Sequence, residues 1–149
     1  MMELLNTSIS YSIDGSGNTS SVIAGIRGEV EGRLTITANI TIYPADLVEG
    51  TNFDDLSKKQ LFALATKKLP DLLPNLAYTN YQFFVQNDAP VRLTAYSNLS
   101  NNGSYITLNS TLDQSDFTNK AIESVGYEDV KSAVKTILSQ EFPTSSTKA

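Results

Sequence analysis

Residues 33–43 read Arg33-Leu34-Thr35-Ile36-Thr37-Ala38-Asn39-Ile40-Thr41-Ile42-Tyr43. Leu34, Ile36, Ala38, Ile40 and Ile42 hold the even positions, and Arg33, Thr35, Thr37, Asn39, Thr41 and Tyr43 hold the odd ones. Successive side chains of a strand point to opposite faces, so this segment presents one apolar face and one polar face. Its β-branched residues suit a pleated, half-buried surface. The stretch predicts a long strand in an antiparallel sheet, with the even face on a core and the odd face in water.

Upstream, Ser8–Asp14 alternates Ile9, Tyr11 and Ile13 with serines, and Gly15-Ser16-Gly17-Asn18 follows as a turn signal. Ser21–Glu31 carries Val22, Ala24, Ile26 and Val30 in phase, with Gly25 and Gly28 marking a bulge or a close backbone approach. Glu31-Gly32 turns the chain into the 33–43 strand, so the first three elements form a meander.

Downstream, Pro44-Ala45-Asp46 ends the strand and a polar loop leads to a helix. Ser57 with Gln60 fits a capping box, and Leu56 with Leu61 fits the accompanying hydrophobic staple. Leu61, Leu64, Ala65 and Leu69 form a helical stripe with Phe62 beside it. Lys67 and Lys68 are expected in the last turn, where the helix dipole favours cations, and Pro70 is expected to stop the helix.

The aromatics of Tyr81–Gln86 favour a strand. Asn87-Asp88-Ala89-Pro90 turns the chain, and Val91–Ser97 alternates Val91, Leu93 and Ala95 with Arg92, Thr94 and Tyr96. Asn98–Gly103 reads as a polar loop, and Ser104–Leu112 reads as the returning strand. Phe117–Val125 holds a helical turn or two. Over Tyr127–Phe142, Val130, Ala133, Val134, Ile137, Leu138 and Phe142 repeat at helical spacing.

These elements predict an α+β fold in which an antiparallel sheet is packed by two main helices in the order βββα-βββα. The expected organisation is a single domain over residues 1–143, with a flexible tail over residues 144–149. The two halves resemble one another. Ile36-Thr37-Ala38-Asn39-Ile40-Thr41-Ile42 matches Ile106-Thr107-Leu108-Asn109-Ser110-Thr111-Leu112 at an offset of 70, and Asp46-Leu47 matches Asp116-Phe117 at the same offset. Tyr11-Ser12-Ile13 and Tyr81-Gln82-Phe83 occupy comparable places, and Phe53-Asp54-Asp55-Leu56 resembles Tyr127-Glu128-Asp129-Val130 at an offset of 74. An internal duplication of residues 8–73 and 78–142 is one reading; the shared composition of Thr/Ile strands and acidic helix starts is the other.

The chain has 149 residues, 40% of them hydrophobic and 18% charged, in the range of folded proteins. Its net charge of −5 argues against nucleic acid and against an anionic membrane surface, both of which need clustered Lys and Arg. Cysteine and histidine are absent, which removes thiol nucleophiles, disulfides, the commonest general base and the usual zinc, copper and haem ligands. No cofactor is expected. The start, Met-Met-Glu-Leu-Leu-Asn, has no basic region followed by an apolar run, and no segment is apolar enough to span a membrane. The expectation is a soluble chain made in the cytoplasm, whether or not it is later incorporated into a virion.

Candidate chemistry is sparse. Asp14–Ser20 spaces oxygen side chains as a calcium loop does, but Thr19 and Gly25 stand where the loop needs Gly and Glu, so a hairpin turn explains it better. Glu29 with Glu31 and Asp54 with Asp55 are the carboxylate pairs. Cross-strand ion pairing with Arg27 and Arg33, and a favourable position at a helix start, account for them without catalysis. Six Asn-x-Ser/Thr triplets reflect a chain rich in those residues. The odd row Thr35, Thr37, Asn39, Thr41 and Tyr43 is a flat line of hydrogen-bonding groups and the candidate interaction face.

The expected function is therefore a non-enzymatic structural or protein-interaction protein, assembling with itself or a larger complex through sheet faces or edges. A small phage or prophage virion or accessory protein fits that profile. The alternative is a small-molecule or carbohydrate-binding module whose pocket is lined by Tyr78, Tyr81, Phe83, Phe84 and Tyr96.

Overall fold

A computed structural model describes residues 2–142. In chain order the main elements are β1 (Leu4–Ile13), β2 (Thr19–Val30), β3 (Leu34–Ile42), α1 (Lys58–Leu72), β4 (Ala77–Gln86), β5 (Ala89–Asn101), β6 (Ser104–Asp113) and α2 (Tyr127–Glu141). The fold is mixed α+β. The strands form one six-stranded sheet in the spatial order β1-β2-β3-β6-β5-β4, and every neighbouring pair is antiparallel. β3 and β6, far apart in sequence, are neighbours at the centre.

The turns follow local chemistry. Asn87 and Asp88 both adopt positive φ between the closing pair Gln86↔Ala89, and Asn102 and Gly103 do the same between Asn101↔Ser104. Two successive residues of positive φ give the tight turn whose twist matches the strands, and Asn, Asp and Gly tolerate that conformation best. The Asp14 carboxylate accepts the backbone N–H groups of Ser16 and Asn18, so that acidic group is a turn acceptor. The glycines of β2 meet close neighbours. Opposite Gly25, β1 bulges between Asn6 and Ser8, and a Cβ at Gly25 would lie 2.5 Å from Thr7 Oγ1. Asn6 Nδ2 donates to the Gly25 carbonyl at 2.9 Å.

The even face of β3 is sealed: Leu34, Ile36, Ala38, Ile40 and Ile42 are all buried. They join Val22, Ala24 and Ile26 from β2, Leu93 and Ala95 from β5, and Ile106, Leu108 and Leu112 from β6 in one core. Burying each of the larger side chains contributes roughly 1.5–3 kcal/mol. The helices supply the other layer. Leu61, Ala65 and Leu69 from α1 and Val130, Ala133, Val134, Ile137 and Leu138 from α2 are buried, each set on one helical stripe. The Ser57 side chain accepts from Gln60 N–H while Ser57 N–H donates to the Gln60 side chain, which closes the capping box at the start of α1.

Three details depart from sequence expectation. Pro70 does not stop α1, which runs to Leu72 and continues as a 3-10 turn over Leu73–Asn75. The proline removes one backbone donor near the end of the helix, and burial of Leu69 and Leu73 on either side of it offsets that loss. Lys67 and Lys68 therefore do not occupy a last turn. Asn98–Asn101 is strand, not loop, because Asn98 and Ser100 pair with Thr107 and Tyr105 on one face while Leu99 packs against the core on the other. Phe53–Asp55 forms a 3-10 turn ahead of α1, whereas Tyr127-Glu128-Asp129 is the first turn of α2, so the offset-74 match joins inequivalent places. The segment 113–126 holds two 3-10 turns, at Gln114–Asp116 and Ile122–Ser124. The expected tail over 144–149 lies outside the described residues.

Candidate functional site: the uncovered sheet face

The face of the sheet opposite the helices carries the odd residues of β3. Thr37 and Asn39 are exposed and Thr35 is half-buried, flanked on one side by Glu29, Arg27 and Gly25 of β2. On the other side β6 places Asn109 beside Thr35, Thr107 beside Thr37 and Tyr105 beside Asn39. β5 continues the same rows with Tyr96, Asn98 and Ser100. Every central side chain on this face from β3, β6 and β5 thus ends in a hydroxyl or an amide, groups that both donate and accept hydrogen bonds. The charges that share the face are Arg27 and Glu29 of β2, 3.5 Å apart and directly beside Thr37 and Thr35, and Arg92 opposite Asp113.

The predicted row is not uniformly available. Thr41 is buried, at 4% exposure. Its hydroxyl donates to the Gly103 carbonyl at 2.7 Å, and its N–H donates to Ser104 Oγ at 2.9 Å. Tyr43 Oη donates to the Asn102 carbonyl at 2.9 Å. β3 outlasts its pairing with β6 beyond Asn39, and Thr41 and Tyr43 bind the β5–β6 turn instead. Thr35, Thr37 and Asn39 are left as the open members.

Sequence reading from one strand missed Tyr105, Thr107, Asn109, Tyr96 and Asn98. Alternation within 91–97 and 104–112 already placed all of them but Asn98, which fell in the expected loop, on polar faces; that those faces continue the β3 row depends on β3 and β6 lying side by side. Tyr105 is 45% exposed, and its hydrogen bond with Tyr96 raises the Tyr105 hydroxyl above its ordinary pKa. The Tyr105 phenol therefore stays protonated and acts as a hydrogen-bonding group.

Two charge-assisted clasps hold β3 at its ends. Arg33, just before the strand, reaches both carboxylate oxygens of Asp116 at 2.6 and 2.9 Å. This corrects the expected pairing of Arg33 with Glu29 or Glu31. The hydrogen bond that Arg33 donates to Asp116 raises the Arg33 pKa, against an opposing effect of burial. At the other end Lys68 Nζ donates to the Thr41 carbonyl at 2.9 Å and to Asp46 Oδ2 at 2.8 Å. Burial pushes the Asp46 carboxyl upward, but the bonds from Lys68 and from Tyr43 N–H together hold it below the usual carboxylate range. Lys68 thus serves the sheet and not the helix terminus. Asp54 accepts from Thr19 Oγ1 and Asp55 accepts from Asn52 N–H, which gives both aspartates structural partners.

The five aromatics of the alternative reading do not converge. Tyr78, Tyr81 and Phe83 lie on the helix side of β4, with Tyr81 edge-on to Phe83 at 6.0 Å. Phe84 lies on the other face beneath Arg92, whose guanidinium is 4.4 Å from the ring centre, and Tyr96 shares that face. None of four surface clefts is lined by any of the five. Burial pushes the Tyr78 hydroxyl up to about 12. No helix among the described residues is long and apolar enough to cross a membrane. Compared with known proteins, the chain matches no family model, no curated protein and no solved structure.

Proposed function

We propose that the protein is a non-enzymatic structural or protein-interaction protein that assembles through its sheet, with the uncovered face and the sheet edges as the contact surfaces. One observation carries this reading. In a chain of net charge −5, the adjacent rows that β3, β6 and β5 bring to the middle of the uncovered face are neutral hydroxyl and amide groups, and the charges beside them on β2, Arg27 and Glu29, pair with each other. A neutral surface of groups that donate and accept suits contact with another protein surface, since it sets no like charges against each other. Membership of a phage or prophage particle belongs to this proposal as the setting that the sequence favours.

The chain is further read as two copies of one βββα unit. What supports this is the register: Thr37 pairs with Thr107, the residue 70 positions on, and 70 is the offset of the sequence match. A twofold relation between the halves requires equivalent residues to meet at the centre in this way. The register breaks in β1 at Asn6/Ser8 and Ser12/Ile13 have counterparts in β4 at Tyr78/Asn80 and Phe84/Val85, at an offset of 72 and so two residues out of step with the match in the central strands. The turns at Pro44–Asp46 and Gln114–Asp116 also agree, because Asp46 and Asp116 each accept the backbone N–H three residues earlier. Such a duplication gives the uncovered face a centre at the Thr37–Thr107 pair and makes β1 and β4 equivalent edges.

The test is the state of association. Light scattering from about 10 μM to about 1 mM, the range of weak protein contacts, is expected to show reversible growth in mass. A strict monomer throughout, together with no partner recovered from the native host, would refute the reading.

A further inference from the structure

The sequence contains one Asn-Gly pair, Asn102-Gly103, and it forms the exposed turn between β5 and β6. Asparagine followed by glycine is the pairing most open to self-modification. Glycine has no side chain to block the approach of its own backbone nitrogen to the asparagine amide carbon. That nitrogen bonds to the amide carbon, the bond to the amide nitrogen breaks, and ammonia leaves with the proton that the backbone nitrogen gave up. Water then opens the resulting succinimide ring at either carbonyl. One opening yields aspartate in an ordinary peptide. The other yields isoaspartate, which carries an extra methylene in the main chain.

The fold holds this chemistry off. Asn102 and Gly103 have φ of 48° and 84°, the mirror-image turn in which the Gly103 nitrogen stands away from the Asn102 side chain. Ring closure requires the peptide plane between the two residues to swing to the other side of the Asn102 Cα. That plane carries the Asn102 carbonyl, to which Tyr43 Oη donates at 2.9 Å. Thr41 Oγ1 donates to the Gly103 carbonyl at 2.7 Å, and Thr41 N–H donates to Ser104 Oγ at 2.9 Å. Three hydrogen bonds from the end of β3 thus fix three successive residues of the turn.

We propose that Asn102-Gly103 is a latent self-modification site that the end of β3 keeps closed, and that local release of Tyr43 and Thr41 starts the conversion of Asn102 to aspartate and isoaspartate. Conversion adds a negative charge to a chain of net charge −5, and the isoaspartate form lengthens the main chain inside a two-residue turn. A lengthened turn no longer presents its carbonyls to Thr41 and Tyr43, so the end of β3 stays free once released. The site does not depend on the proposed assembly.

The test incubates the wild-type chain, Tyr43→Phe and Ile36→Val at mildly alkaline pH, folded and in urea. Peptide mapping by mass spectrometry follows aspartate and isoaspartate at position 102, and circular dichroism verifies the fold. Unfolded wild type is expected to convert at least about tenfold faster than folded wild type, because the folded turn opens only transiently. Folded Tyr43→Phe lacks one hydrogen bond to the turn and is expected to convert about two- to tenfold faster than folded wild type. Ile36→Val weakens the core by a similar amount, leaves the bonds to the turn in place and is expected to convert as wild type does. Equal rates for folded and unfolded wild type, or for folded Tyr43→Phe and folded wild type, overturn the inference. Equal acceleration by Ile36→Val and Tyr43→Phe also overturns it, since conversion would then follow global unfolding. Aged wild type is expected to have a lower urea midpoint than fresh protein, whereas aged Asn102→Gly, which suits positive φ and has no amide to convert, keeps its own. An unchanged midpoint in fully converted wild type would show that β3 is still held and overturn the stated consequence.

Discussion

The sharpest test of the architecture compares adjacent residues of β3. Ile36 is fully buried, between Gly28 of β2 and Leu108 of β6 in register. The contact with Gly28 is tight: a Cβ added there would lie 3.2 Å from Ile36 Cγ2. Ile36→Ala removes three buried carbons from a site between two paired strands that cannot close over the gap. The usual cost of such a truncation is about 2–5 kcal/mol, and the central position places it near 4 kcal/mol. Ile36→Asp adds an unpaired carboxylate to the core, at a further cost of several kcal/mol. The sum is comparable to the whole stability of a domain, about 5–15 kcal/mol, so this variant is expected to unfold. Thr37 is exposed and faces Arg27 across the β2–β3 pair, with Glu29 on the diagonal. Thr37→Asp gains a surface attraction and loses some strand preference, for a net change within about 1 kcal/mol. Urea denaturation followed by circular dichroism reads the difference. With a slope of about 2 kcal/mol per molar urea, Ile36→Ala lowers the midpoint by about 2 M and Thr37→Asp by about 0.5 M or less. Equal losses at the two positions, or a cooperatively folded Ile36→Asp, would refute the assignment of faces.

Two further outcomes follow from local geometry. Gly32 and Gly103 both have positive φ, but a Cβ at Gly103 would lie 2.5 Å from Tyr43 Oη and 3.2 Å from Thr41 Oγ1, while nothing lies near one at Gly32. Gly32→Ala is expected to cost about 1–2 kcal/mol from backbone strain, and Gly103→Ala clearly more; equal costs in denaturation would show that the Thr41–Tyr43 clasp on the turn is wrong. Asp46 titrates lower in the folded protein than in the unfolded chain, so the Asp46–Lys68 contribution is complete above the ordinary carboxylate pKa and is lost as pH falls through the depressed one. Denaturation midpoints of Lys68→Met are accordingly expected to fall less than those of wild type between about pH 6 and pH 3, and parallel curves would exclude the clasp.

The candidate face was partly legible in the sequence. Thr35, Thr37 and Asn39 lie where alternation alone put them, because the direction of a strand side chain is a property of its own backbone. Thr41 and Tyr43 obey the same alternation, yet they are engaged by the β5–β6 turn about 60 residues later, which no local pattern encodes. Arg33 illustrates the same limit. Its sequence neighbours Glu29 and Glu31 are the obvious partners, but the fork closes on Asp116 because the segment after β6 is brought to the start of β3. Pro70 shows how packing overrides propensity: the helix persists through it because Leu69 and Leu73 are both held in the core.

What the sequence determined by itself is local: the strand faces, the Ser57 capping box, the apolar stripes of both helices and the turns at Asn87-Asp88 and Asn102-Gly103. Each depends on interactions among residues a few positions apart, where side-chain direction and backbone preference leave few alternatives. Only the tertiary structure decided that β3 and β6 are neighbours, and with that the extent of the uncovered face. Strand pairing at a distance of 70 residues is chosen by the fit of whole apolar faces against the helices, and many registers of a Thr/Ile strand satisfy the local rules equally well. The uncovered face is the sum of polar rows that each strand carries separately, and it exists as a surface only once the core has aligned them.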